Sequence, residues 1–97
     1  MKITREDDRG GAVLNWAVRY SLGRYTYAPD LTISVIRPML PDCSTKTVAV
    51  FVQDVSEWLE RTEPGKGFHD NHWAGWKAFL DDCEAELERR EDWPWRD

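Results

Sequence analysis

Three stretches of the chain carry apolar residues at helical spacing, and turn-forming residues separate them. The first, AVLNWAVRYSL from Ala12 to Leu22, is apolar on nearly every side and is broken only by Asn15, Arg19 and Ser21. A helix that is apolar all round belongs inside a bundle. The pattern therefore predicts a central helix over 12–22, with Trp16 in the core. Gly23 fits the left-handed residue that commonly ends a helix. Asn15 and Arg19 stand one turn apart and face the same way. They read either as a polar contact point within a groove, or as an Arg reaching solvent or a carboxylate on a neighbouring helix.

The second stripe is Val48, Phe51, Val52, Val55, Trp58 and Leu59, one helical face held for three turns. It predicts a helix over 45–62, opened by Ser44 as N-cap, with Glu57 and Arg61 as an i,i+4 pair on its polar side. The third stripe is Trp73, Trp76, Leu80, Cys83 and Leu87, with Phe79 alongside. It predicts a helix over 71–91 with Asp70 as N-cap. Pro64, Gly65 and Gly67 mark the loop between these two helices.

Residues 31–40, LTISVIRPML, read both ways. Leu31, Ile33 and Val35 alternate as in a strand, whereas Ile33, Ile36 and Leu40 make a helical face. The reading adopted is a helix, N-capped by Asp30 after Pro29, that kinks or ends near Pro38. Residues 1–11 mix charges of both signs, end in two glycines and read as a flexible arm. Residues 92–97 form an aromatic tail after the last helix. The predicted fold is all-α: one domain over 1–97, a small bundle of three to four helices around a central apolar helix.

Ninety-seven residues with 41% hydrophobic content suffice for one core. Six tryptophans are many for such a core, so some are expected near the surface. The net charge of −5 is uneven. Residues 1–53 carry seven Lys/Arg against five Asp/Glu, and residues 54–97 carry six against thirteen. An acidic half disfavours direct nucleic-acid binding there, since duplex binding is driven by Lys and Arg on phosphate. No apolar run approaches the roughly 20 residues that span a bilayer. Cys43 and Cys83 are the only cysteines and read as reduced thiols, so a cytoplasmic protein is expected.

Candidate chemistry is sparse. His69 and His72 could place two imidazoles on one side of a turn. Cys83, however, lies about 16 Å further along at 1.5 Å per residue, so no metal site is expected. No nucleophile sits beside a base in a recognisable setting, and no glycine loop is built for phosphate. The reading is a non-enzyme without cofactor.

The last helix carries the most suggestive pattern. Asp81, Glu84, Glu88 and Glu91 recur at i, i+3, i+7 and i+10, with Asp82, Glu86 and Asp92 flanking. Successive carboxylates then lie about 5–6 Å apart along one ridge, similar to the spacing of phosphates on a strand. The candidate partner-binding set is Asp81, Asp82, Glu84, Glu88 and Glu91, facing a basic groove on a protein partner. The plainer alternative is a solvated helix face, its field diluted by Arg89 and Arg90.

The run NWAVRYSLGRYTYAP, the helix TVAVFVQDVSEWLE and a terminal helix with W-x-x-F/L spacing together resemble small proteins of bacterial prophages and other mobile elements. Such acidic proteins include anti-CRISPR inhibitors, which act by binding an effector complex. The resemblance implies an inhibitor of a host-defence nucleoprotein complex, working in a bacterial cytoplasm, with the acidic ridge as its surface. The competing expectation is a helix-turn-helix DNA-binding regulator using Arg19, Arg24 and Arg37. The sequence leaves the oligomeric state open.

Overall fold

A computed structural model describes residues 8–22, 28–62 and 70–90. Among these the chain forms α1 (Asp8–Ser21), α2 (Ala28–Ile36), a 3₁₀ segment (Arg37–Asp42), α3 (Thr45–Arg61) and α4 (Asp70–Glu88), and no strand. The expected all-α bundle is what these residues build. Helix α1 packs on α2 and α3, and α4 packs on the other side of each, so the four close into a ring: α1, α3, α4, α2.

Local signals account for most boundaries. Ser44 caps α3, its hydroxyl accepting the Thr47 N–H at 3.1 Å, as its position before the stripe predicts. The ambiguous 31–40 stretch resolves as helix up to Ile36. It then tightens into the 3₁₀ segment, where Pro38 sits in the first turn and Pro41 lies inside. A proline removes the hydrogen bond an α-helix would need there. Pro29 is taken into the first turn of α2, where its missing N–H costs nothing. Asp30 is therefore a first-turn residue rather than the cap. Helix α4 starts at Asp70, one residue earlier than expected.

The core is built mainly by α3 and α4. Val48, Phe51 and Val55 of α3 are fully buried against Trp76, Phe79 and Cys83 of α4, and Ile36 and Leu40 close one end. Phe79 sits 5.7 Å from both Phe51 and Trp76 by ring centroids, tilted to the first and edge-on to the second. Those arrangements suit aromatic quadrupoles. Trp73 is half-buried and donates from Nε1 to the Thr62 carbonyl at 2.6 Å, tying the start of α4 to the end of α3.

Two expectations need correction. The 12–22 helix is not the central one. In α1 only Val18 among the hydrophobics is fully buried, whereas Val13 is 65%, Trp16 60% and Tyr20 49% exposed. In a ring of four helices every member keeps an outer face, and the outer face of α1 is apolar. The arm also ends earlier than residue 11, because α1 runs through Gly10 and Gly11 from Asp8. Gly11 is buried against Thr47 of α3, and a Cβ at that position would overlap the Thr47 hydroxyl. Glycine there lets the two helix backbones approach. Residues 1–7, Gly23, the 63–69 loop and the 92–97 tail lie outside the described residues.

Candidate functional site

The acidic pattern of α4 divides into two groups around the helix. Asp81, Glu84 and Glu88 are exposed on one ridge, turned outward on the side that faces α3. Lys77 shares this ridge and donates to Asp81 at 2.7 Å. That hydrogen bond, followed by the carboxylate charge, raises the Lys77 pKa. Among the described residues no cation pairs with Glu84 or Glu88. Glu91 lies outside the described residues.

Asp82 is not part of that ridge. It points to the α2 side and pairs with Arg37 of the 3₁₀ segment. Glu86 does not flank the ridge in water either: it is buried, and its carboxylate accepts from Arg90 Nε at 2.9 Å and from Arg89. Arg90 continues inward, donating to Thr45 Oγ1 at 3.1 Å and to the Leu40 carbonyl at 2.9 Å. Arg90 is turned inward, whereas Arg89 is exposed and lines the same groove as Glu88, so it still dilutes the field at that end of the ridge. The Glu86–Arg90 pair was missed because a carboxylate in a charged run gives no sign of which face will be covered.

The outer face of α3 extends the acidic surface. Gln53, Glu57 and Glu60 are exposed there. Glu57 accepts from Gln53 at 3.5 Å and is not paired with Arg61, contrary to the i,i+4 expectation. Glu60 and Lys77 line one shallow cleft of 280 Å³ between α3 and α4, floored by Leu59, Trp73 and Leu80. Glu84 and Glu88 edge a second cleft of 200 Å³, with Val52 and Leu87 beneath. One cleft of the α3–α4 seam is thus edged by two carboxylates, and the other by one carboxylate and a lysine.

On the other flank, a groove of 700 Å³ runs between the 3₁₀ segment and α4, lined among others by Arg37, Asp82, Glu86 and Arg89. Arg37 pairs there with Asp82 and Arg89 with Glu86, while Glu88 lines the same groove with no paired cation among the described residues. Asn15 and Arg19 share one side of α1, as their spacing predicts, and meet α3. Asn15 Nδ2 donates to the Thr47 carbonyl at 3.0 Å, and Arg19 pairs with Asp54 at 3.0 Å.

His72 is half-buried at the start of α4, and its Nδ1 has no hydrogen-bond partner among the described residues; nor has Nε1 of the fully buried Trp76 one turn on. His69 lies outside the described residues, and no cluster of three metal-ligating side chains occurs among those described. Both cysteines are free and buried. Burial pushes the Cys43 thiol up in pKa, opposed in part by the Arg90 guanidinium. Burial likewise raises Cys83, well above the ordinary thiol range. Thiolate is the nucleophilic form, so neither cysteine is set up for attack. No helix among the described residues is long and apolar enough to cross a membrane. No protein-family model, curated protein or solved structure matches the chain.

Proposed function

We propose that this chain works by binding, setting the outer face of α3 and α4 into a basic groove of a protein partner. The observation that supports it is the set of carboxylates Glu57, Glu60, Glu84 and Glu88, exposed on the outer side of α3 and α4 with no cation paired to them among the described residues. Together with Asp81 they outnumber the exposed cations Lys46, Arg61 and Lys77 on the same side. An excess of one charge on a small domain steers association with an oppositely charged surface. Asp81 adds to the ridge, although Lys77 shares its charge. The finer form, an inhibitor of a host-defence nucleoprotein complex that occupies a nucleic-acid groove, rests on the sequence resemblance alone.

The regulator reading is weaker on two counts. Arg19 and Arg37 are each paired with an aspartate of the same chain, and Arg24 lies outside the described residues. Helix α3, the recognition helix of a helix-turn-helix reading, is packed between α1 and α4. Its open side presents Glu57 and Glu60 beside Lys46 and Arg61, so it has no net positive charge to offer phosphate.

The test is the combined substitution Asp81→Lys, Glu84→Lys and Glu88→Lys. These side chains are exposed, so circular dichroism should be unchanged. The native chain should retain a bacterial protein from lysate after nuclease treatment, release it as salt rises, and lose it to competing heparin. The triple variant should retain none. Equal capture by the triple variant would make the ridge an ordinary solvated face, and tight binding of duplex DNA in a gel shift would favour the regulator.

A further inference from the structure

The apolar outer face of α1 has a counterpart on α2. Val13, Trp16 and Tyr20 are exposed on α1, with Trp16 and Tyr20 stacked at 5.0 Å and 17°. Leu31 and Val35 are 63% and 59% exposed on α2, and Met39 follows in the 3₁₀ segment. The two helices meet where the Ser21 and Thr32 hydroxyls hydrogen-bond at 2.6 Å. At 100° per residue, Val13, Tyr20 and Trp16 lie about 80–140° round from Ser21, on the side away from Val18 and Leu14. Leu31 and Val35 lie about 60–100° round from Thr32, on the side away from Ile33 and Ile36. Both stripes therefore border the outside of one seam and form a continuous apolar face among the described side chains.

We propose that this seam is the interface of a homodimer. The six side chains expose on the order of 600 Å², given the 150–250 Å² a large aromatic brings when covered. That is at the upper end of what a monomer usually leaves open in one patch. It approaches the roughly 800 Å² per partner of a stable interface. The composition, Trp and Tyr with Met and no charge, is that of an interface centre.

Charge selects the second copy as occupant. Among the described side chains the nearest arginines, Arg19 and Arg37, are already paired with Asp54 and Asp82, so neither is open to an acidic partner. In the ring of helices the α1–α2 seam lies opposite the α3–α4 seam. Two copies of a chain with net charge −5 that meet at α1–α2 keep their acidic faces as far apart as the bundle allows. Such a dimer carries one acidic face at each end. The dimer does not depend on what those faces bind.

Sedimentation velocity of the whole chain from about 1 to about 100 µM tests this, a range that spans micromolar dissociation. The native protein should shift to twice the monomer mass within it. Trp16→Lys and, separately, Val35→Lys should stay monomeric with native circular dichroism. Glu84→Lys on the opposite face should dimerise like the native chain or slightly better. A native monomer throughout, as when a segment of the same chain covers the seam, overturns the proposal. So does a dimer that persists in both α1 and α2 variants, or one that Glu84→Lys abolishes.

Discussion

Arg90 reaches the Glu86 carboxylate at 2.9 Å, and both side chains are nearly sealed from water, at 11% and 8% exposure. The same guanidinium holds the Leu40 carbonyl and the Thr45 hydroxyl. One residue thus joins the end of α4, the 3₁₀ segment and the first turn of α3. Removing one partner of such a pair leaves an uncompensated buried charge. Glu86→Ala should therefore destabilise the domain by about 3–5 kcal/mol in denaturant unfolding. Glu88→Ala, two residues on but exposed, should change stability by less than about 0.5 kcal/mol.

Trp76 and Trp16 should respond to truncation with losses of very different size. Trp76 is fully buried between Phe79 and its neighbours, so Trp76→Ala should cost about 3–5 kcal/mol, as for large core aromatics. The sequence alone assigns that loss to Trp16, which is 60% exposed. Trp16→Ala should cost under about 1 kcal/mol in dilute unfolding experiments. Thermal midpoints of the two variants provide the comparison.

Two helical glycines separate close approach from mere tolerance. Alanine gains about 1 kcal/mol over glycine in a helix interior. At Gly75 a Cβ would lie 3.6 Å from Ile33 Cδ1, an ordinary contact, so Gly75→Ala should raise the midpoint of unfolding. At Gly11 it would meet the Thr47 hydroxyl, which Ser44 engages at 2.9 Å, so Gly11→Ala should lower it.

The thiols carry a pH dependence. Folding raises the pKa of Cys43 and Cys83 by burial, so the folded chain holds those protons more tightly than the unfolded chain. Their contribution to stability is complete below the ordinary thiol value of 9.0 and is lost as pH rises above it. Unfolding midpoints should fall from pH 8 to pH 10 in the native chain and fall less in Cys83→Ala. In native buffer a thiol reagent should label neither cysteine promptly, and in guanidinium it should label both.

The helices themselves were legible from local pattern. The stripe from Val48 to Leu59, the cap at Ser44, and the stop near Pro38 rest on periodicity and backbone chemistry within a few residues of chain, and the fold kept all three. The exposed ridge of Asp81, Glu84 and Glu88 was legible for the same reason, since side chains at those spacings share a helix face wherever the helix lies.

Which face meets which neighbour is a property of the assembled ring. An apolar stripe around α1 looks the same in sequence whether it is enclosed or left on the outside. Only packing shows that α3 and α2 cover Val18 and Ser21 and leave Trp16 out. Asp82 and Glu86 belong to the same charged run as Glu84. Asp82 turns toward Arg37, and Glu86 is buried under Arg90, because the 3₁₀ segment lies along that side of α4. The sequence by itself determined the helices, the cap at Ser44 and the spacing of charges along each helix, because those depend on neighbours one turn away. The tertiary structure alone decided which apolar face became core and which carboxylates kept their charge open to a partner, because those depend on residues 30 to 50 positions apart, such as Arg19 with Asp54 and Arg90 with Leu40.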